Sequence, residues 1–304
     1  MSLDTYIVEG GIGKCVTFTS LLPKLVEKAG GPVQVVTPYI DVFAGNPLVK
    51  MAFDENTIPL DDPRITASDN IYYCEPYKSN FIKGDEHILK SYSKLLDVEF
   101  SYDMKPSLHT DHLTQAAKDW LDQVGVTGKF MMVQFTGGQT PIGWTPNNPY
   151  TSSNPGRNYP TYFAQGIINT LRQEYPDMAI IDATLPNEQG YMDTIKCDQS
   201  YPLLVELLKL SEGFIAIDSC LQHFAAAVNV PGVVIWGNTR WTQFGWTHHK
   251  NMSFHDKSKY NTFYKMDVAD PRNLLVDPND VLQVFVNQVM GKKVEPEDVK
   301  VPSK

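Results

Sequence analysis

The feature that most constrains this chain is a repeated order of segments. A short β-branched or aromatic run is followed by a loop of small residues, and then by a stretch whose apolar positions have helical spacing. Thr5-Tyr6-Ile7-Val8-Glu9 reads as a buried strand that stops at Gly10-Gly11-Ile12-Gly13. Residues 15–29 then place Val16, Leu21, Leu22 and Leu25 at helical spacing. Gly30-Gly31-Pro32 ends that helix, and Val33-Gln34-Val35-Val36 reads as the next strand. Strand, helix and strand in this order form a βαβ unit, which implies a parallel sheet with helices on its faces.

The order resumes downstream. A helix over 112–124 ends at Gly125, and Phe130-Met131-Met132-Val133-Gln134-Phe135 opens a second strand-first series. Helices are expected over 162–175, 202–211 and 221–228, and strands over 178–182, 213–217 and 232–236. That regular alternation predicts a doubly wound parallel sheet. Residues 46–101 are less regular, with a short strand at Ile71-Tyr72-Tyr73 and a helix over 85–96. A last helix over 280–290 precedes a polar tail. The expected fold class is therefore α/β, with one doubly wound domain over 1–125, a second over 126–290 and the tail over 291–304. A chain of 304 residues is long enough to bury two cores. Open parallel sheets hold ligands at the carboxyl ends of their strands, so two such sheets in series face one another across a cleft.

Composition narrows the function classes. At 42% hydrophobic and 20% charged the chain is globular, and it contains no apolar run of the roughly 18 residues that a membrane span requires. No basic segment followed by an apolar stretch opens the sequence, so no secretory signal is expected. Cys15, Cys74, Cys197 and Cys220 are widely spaced, which predicts free thiols in a reducing compartment and a cytoplasmic location. The net charge is −9, and residues 1–128 carry 11 Lys and Arg against 18 Asp and Glu. That acidity disfavours a nucleic-acid partner, for which phosphate neutralisation supplies most of the affinity.

Four motifs sit at predicted strand ends. Gly10, Gly11 and Gly13 let backbone N–H groups approach an anion or sugar closely, or simply make a tight strand-to-helix turn. Phe214-Ile215-Ala216-Ile217-Asp218-Ser219-Cys220-Leu221-Gln222-His223 ends a strand and starts a helix. Asp218 and Ser219 are placed to cap that helix, whose first N–H groups can hold a phosphate, with His223 in reach. The plainer alternative is two N-caps and a buried structural histidine. Thr136-Gly137-Gly138 opens a loop over 136–158 rich in Gly and Pro, a length uncommon without a function. Val233-Val234-Ile235-Trp236-Gly237-Asn238-Thr239 ends a third strand in small residues. Nearby, Trp236, Trp241, Phe244 and Trp246 either stack on a base or sugar or cover the sheet edge. Asp111, between His109 and His112, is expected to cap a helix rather than bind a metal, and His248, His249 and His255 lack a metal-ligand pattern.

The stretch from Phe214 to Thr239 resembles the C-terminal signature of glycosyltransferase family 9, the heptosyltransferase-like enzymes. That signature runs as an apolar strand, Asp-Ser-Gly-Pro-x-His, an alanine-rich helix, a proline-containing strand and Gly-x-Thr. The N-terminal Gly-Gly-Ile-Gly-Lys-Cys segment resembles the family's opening loop and helix. Thr136-Gly137-Gly138 and Arg157-Asn158-Tyr159-Pro160 match the positions of its second-domain elements. The resemblance implies a GT-B architecture: two Rossmann-like domains facing across a cleft, the second holding a nucleotide-diphosphate sugar and the first an acceptor. It also implies an inverting transfer that needs no metal and no cofactor, onto a glycan or other hydroxyl acceptor of lipopolysaccharide type. On this reading the diphosphate meets Thr136, Gly137, Ser219, the backbone around Cys220, Gln222 and His223, with Arg157 supplying positive charge. Asp182 or Glu188 is placed for the ribose, and Asp218 for the sugar or its loop. Lys14 stands where the family carries an acid thought to act as base. Glu9 or Asp41 then replaces that acid, or Lys14 binds a phosphate or acidic acceptor, or catalysis is lost. The rival readings are a phage-type DNA glycosyltransferase acting on a hydroxymethylated base, using a patch such as Lys78, Lys83, Lys90 and Lys94, and a non-catalytic nucleotide-sugar-binding homologue.

Overall fold

The computed structural model describes residues 3–78, 86–137, 158–184, 190–237, 239–253 and 276–302. Within these, ten strands form two sheets. The first contains β1 (Asp4–Ile7), β2 (Val33–Thr37), β3 (Val49–Asp54) and β4 (Asn70–Tyr73), in the order β3-β2-β1-β4. The second contains β5 (Phe130–Gln134), β6 (Ala179–Ala183), β7 (Ile195–Cys197), β8 (Phe214–Ile217), β9 (Gly232–Trp236) and β10 (Lys250–Ser253), in the order β10-β9-β8-β5-β6-β7. Every strand pair in both sheets is parallel. Numbered within its own sheet, the second order is the doubly wound 3-2-1-4-5-6, and the first is its four-strand beginning. The chain reverses direction across the sheet between β1 and β4, and again between β5 and β8. The fold is GT-B: α/β, with two Rossmann-like sheets.

The helices are α1 (Ile12–Phe18), α2 (Leu22–Ala29), α3 (Pro63–Thr66), α4 (Ile88–Leu95) and α5 (Thr114–Gln123), then α6 (Thr161–Glu174), α7 (Tyr201–Leu210), α8 (Cys220–Ala227), α9 (Trp241–Phe244) and α10 (Pro278–Gln288). The single helix expected over 15–29 is two helices joined by a 3-10 turn at Thr19–Leu21. Pro23 lies in the first turn of α2, where its missing N–H leaves no bond unmade; inside a longer helix it would break one. Gly30 closes α2 in the left-handed region, with φ of 73°.

Side-chain alternation assigns the two faces of each sheet. On β5, Phe130 and Met132 point into one buried cluster while Met131 and Val133 point into another; Phe214 and Ala216 divide from Ile215 and Ile217 in the same way on β8. The first of these clusters does not stop at the second sheet. It continues through α8 and α1 to Tyr6 of β1 and Val8 just after it, so the two sheets share one apolar core. A polar network adds to this junction: buried Glu206 on α7 accepts from Thr110 (2.6 Å) and Thr114 (2.7 Å), and Lys209 pairs with Asp111 at 2.6 Å. Asp111 therefore reaches across to α7 and does not cap with its side chain. The expected polar tail is also partly embedded. Val299 and Val301 are buried, and Val301 N–H donates to Tyr102 O at 2.8 Å.

Candidate active site

The two points of strand reversal face each other. At the second sheet, Gly137 follows β5 and Ser219 follows β8. A Cβ on Gly137 would lie 3.6 Å from the Ser219 Cβ and 3.3 Å from Ile217, so this close approach suits glycine. Ser219 occupies the N-cap position of α8 with extended backbone, φ −142° and ψ 178°, yet its hydroxyl does not cap the helix. It donates instead to Gln134 Oε1 across the reversal point, at 2.5 Å. The capping role expected of Ser219 is thus corrected, because a well-placed acceptor at the end of β5 takes its proton. The N-terminus of α8 has no side-chain cap. Asp218, also buried, accepts from Gln222 Nε2 at 3.4 Å.

His223, one turn into α8, links this crevice to the first sheet. Trp246 Nε1, a donor only, points at His223 Nδ1 at 3.2 Å. That nitrogen is therefore the acceptor of the indole N–H, while Nε2 lies 3.3 Å from the Gln222 amide nitrogen. Thr17 Oγ1 lies 3.2 Å from the same Nδ1. The ring edge abuts the glycine loop: a Cβ on Gly13 would fall 2.7 Å from His223 Cδ2 and 3.3 Å from Nε2. Gly13 is thus required by close approach, with no positive φ involved. Gly10 is the strained turn residue, at φ 99°, and Gly11 is the N-cap of α1.

At the first sheet the reversal point is charged. Lys14, buried on α1, reaches across to Glu75 beyond β4, with Nζ 2.8 Å from Oε2 and 5.1 Å from the Tyr77 ring centroid. Glu75 Oε1 accepts from Tyr77 N–H at 3.0 Å. In this structure the Lys14 side chain is thus engaged by Glu75. Glu9 and Asp41 are exposed, Glu9 directly after β1 and Asp41 in the 3-10 turn Ile40–Val42.

Several expected site residues lie elsewhere. Asp182 is buried and accepts from Tyr191 N–H at 3.1 Å, a bond that fastens the segment after β6. Trp236 and Trp246 are fully buried, which makes them part of the core and leaves no face for a base. Trp236 donates to Asn251 Oδ1 at 2.8 Å, and Trp246 orients His223. Arg157, Glu188, Gly138, Lys83 and His255 lie outside the described residues. Thr136 is buried at the end of β5, and Gly137 N–H donates to Asn158 Oδ1 at 3.0 Å. Cys15, Cys74, Cys197 and Cys220 are free thiols, with Cys220 alone partly exposed. Among the described residues no three His, Cys, Asp or Glu side chains gather as a metal site, and no helix is long and apolar enough to cross a membrane. Gln134 and Glu75 were not visible as site residues, because each acquires its role from a partner 85 or 61 positions away.

Comparison with known proteins agrees with this layout. Residues 200–272 match the model of glycosyltransferase family 9 (heptosyltransferase). No curated protein sequence matches the chain. Among solved structures, a glycosyl transferase family 9 protein from Veillonella parvula is similar over 93% of this chain and 95% of its own, with a TM-score of 0.69 at 11% identity. ADP-heptose lps heptosyltransferase II of E. coli covers 93% of this chain and 97% of its own, with a TM-score of 0.65 at 13% identity. E. coli heptosyltransferase WaaC, solved with ADP-2-deoxy-2-fluoro heptose, covers 94% and 99%, with a TM-score of 0.55 at 11% identity. The chain has the GT-B fold over nearly its whole length, and over residues 200–272 its sequence is similar to glycosyltransferase family 9 (heptosyltransferase).

Proposed function

We propose that the chain transfers a sugar from a nucleoside-diphosphate donor to the hydroxyl of a glycan-type acceptor, by a single inverting displacement without a metal. Residues 126–290 form the donor side and residues 1–125 the acceptor side. The observation that carries this reading is the set of neutral donors gathered where β5 and β8 part. They are the backbone N–H groups at the start of α8, which carry no side-chain cap, and Ser219, Gly137 and His223 stand around them. A departing diphosphate accumulates negative charge, and donors already fixed in place stabilise it without reorganising. Asp218 takes the positioning role beside Gln222 at the base of the same helix. The glycine loop of the first sheet closes the other side at van der Waals distance from His223. Four free thiols support a reducing compartment, and a cytoplasmic site of action follows from that.

The test is a thermal-shift screen against nucleoside diphosphates and nucleotide sugars, beginning with ADP and ADP-heptose, the class bound by the solved relatives. A ligand present at 100 times its Kd should stabilise the fold by about 2.7 kcal/mol. Absence of any response across the nucleoside diphosphates would overturn the donor site.

A further inference from the structure

The carboxyl edge of the first sheet holds one carboxyl group that its neighbours leave unbound. Glu55 directly follows β3, and its N–H donates to Thr37 O at 3.1 Å, which fixes the residue beside the end of β2. Its side chain is half-buried, and Oε2 is shielded from solvent with no hydrogen-bond partner. The other acids at this edge are engaged or solvated. Glu75 has both oxygens bonded, Asp54 Oδ1 accepts from Asn56 N–H at 2.9 Å, and Glu9 is exposed. Tyr39 fixes the direction. Its N–H donates to Thr37 Oγ1 at 3.3 Å, its ring meets Tyr201 of α7 edge-on at 6.3 Å, and Tyr201 stacks on Phe224 of α8 at 6.0 Å. Glu55 thus stands on the side of the first sheet that faces the donor crevice.

We propose that Glu55 is the general base of the transfer. It takes the proton of the acceptor hydroxyl as that oxygen bonds to the anomeric carbon. The bond from that carbon to the diphosphate oxygen breaks, and its electron pair leaves with the nucleoside diphosphate. This assignment rests on the donor-site reading above. The electrostatics agree. Burial first, then the negative charges of Glu9 and Asp54, raise the Glu55 carboxyl above its ordinary value, while Lys14 opposes them; Cys15 and Tyr39 are the remaining titratable neighbours. A carboxyl raised in this way is a stronger base than an exposed one.

The experiment uses the full chain and the nucleotide sugar that stabilises it best. Release of nucleoside diphosphate is followed for wild type, Glu55→Gln and Glu55→Asp, while calorimetry measures nucleoside diphosphate binding. Glu55→Gln should lower turnover about 100-fold or more with binding unchanged, and Glu55→Asp should restore part of it. Turnover of Glu55→Gln within about three-fold of wild type overturns the base assignment and leaves the donor site standing. Loss of nucleotide binding in Glu55→Gln also overturns it, because the residue would then serve the fold or the donor. A wild-type chain that binds no nucleotide overturns the donor site and the base together.

Discussion

Where β5 and β8 part, the chain places an uncharged bond, Ser219 to Gln134, and a histidine oriented by Trp246. Where β1 and β4 part, it places an ion pair, Lys14 to Glu75, with Glu9, Asp54 and Glu55 along the same edge. The topology of the two crevices is the same and their chemistry is opposite. A site for a leaving diphosphate must offer donors that meet the charge as the group departs. A site that deprotonates a hydroxyl must hold a carboxylate, and one that is short of hydrogen bonds is the more basic for it.

Acid should separate the two sides most strongly. His87 donates from Nε2 to Gly245 O and accepts Leu89 N–H on Nδ1, and burial pushes its imidazole down to about 3. Burial likewise pushes His248 to about 3 and His249 well below the ordinary range. These rings take up protons near pH 6.5 in the unfolded chain but not in the folded one. Their stabilisation is complete above that pH and is lost below it, by about 1.4 kcal/mol per pH unit for each histidine. Glu55 acts with the other sign: its carboxyl is raised in the fold, so its protonation on acidification relieves a strain. Calorimetric melting temperature should fall between pH 6.5 and 5, and His87→Gln should flatten the fall; an identical slope in that variant would mean the ring is not buried neutral.

A smaller effect is expected at the contact between the crevices. Gly13→Ala drives a methyl to 2.7 Å from His223 Cδ2, and that ring is fixed by Thr17 and Trp246, so overpacking should remove about 2 kcal/mol of stability in urea unfolding. A variant as stable as wild type would show that the two helices separate easily. The smallest change is Ser219→Ala, which deletes one hydroxyl and leaves Gln134 near solvent. About 1 kcal/mol of stability should be lost, with roughly tenfold weaker nucleoside diphosphate binding by calorimetry. Equal binding would move the diphosphate away from the start of α8.

The sequence made the central strands legible and the edges obscure. β1, β2, β5, β6, β8 and β9 are continuous apolar runs because both faces are covered. The strands that escaped detection, β3, β7 and β10, are all sheet edges. Their residues Lys50, Met51, Lys196 and Lys250 meet solvent, so the apolar run is broken by charge. In the candidate site, Gly13, Ser219 and His223 could be singled out because each lies in a local motif at a strand end. Glu55 was not: an acid after a broken, half-exposed strand carries no local signal, and its isolation appears only once β2, β3 and α1 are packed together. Asp182 shows the complementary limit, since in sequence a strand-end acid looks the same whether it faces a ribose or binds its own loop.

The apolar cluster that runs through α1 and α8 has a consequence for how the protein unfolds. Neither sheet owns a complete interior, because Tyr6, Phe18, Leu221 and Phe224 complete a single one between them. Cutting the chain near residue 125 would expose that shared surface on both pieces. The two halves should therefore melt as one cooperative transition with a single calorimetric enthalpy, and the linker that looks like a border in the sequence is not a border in the energy.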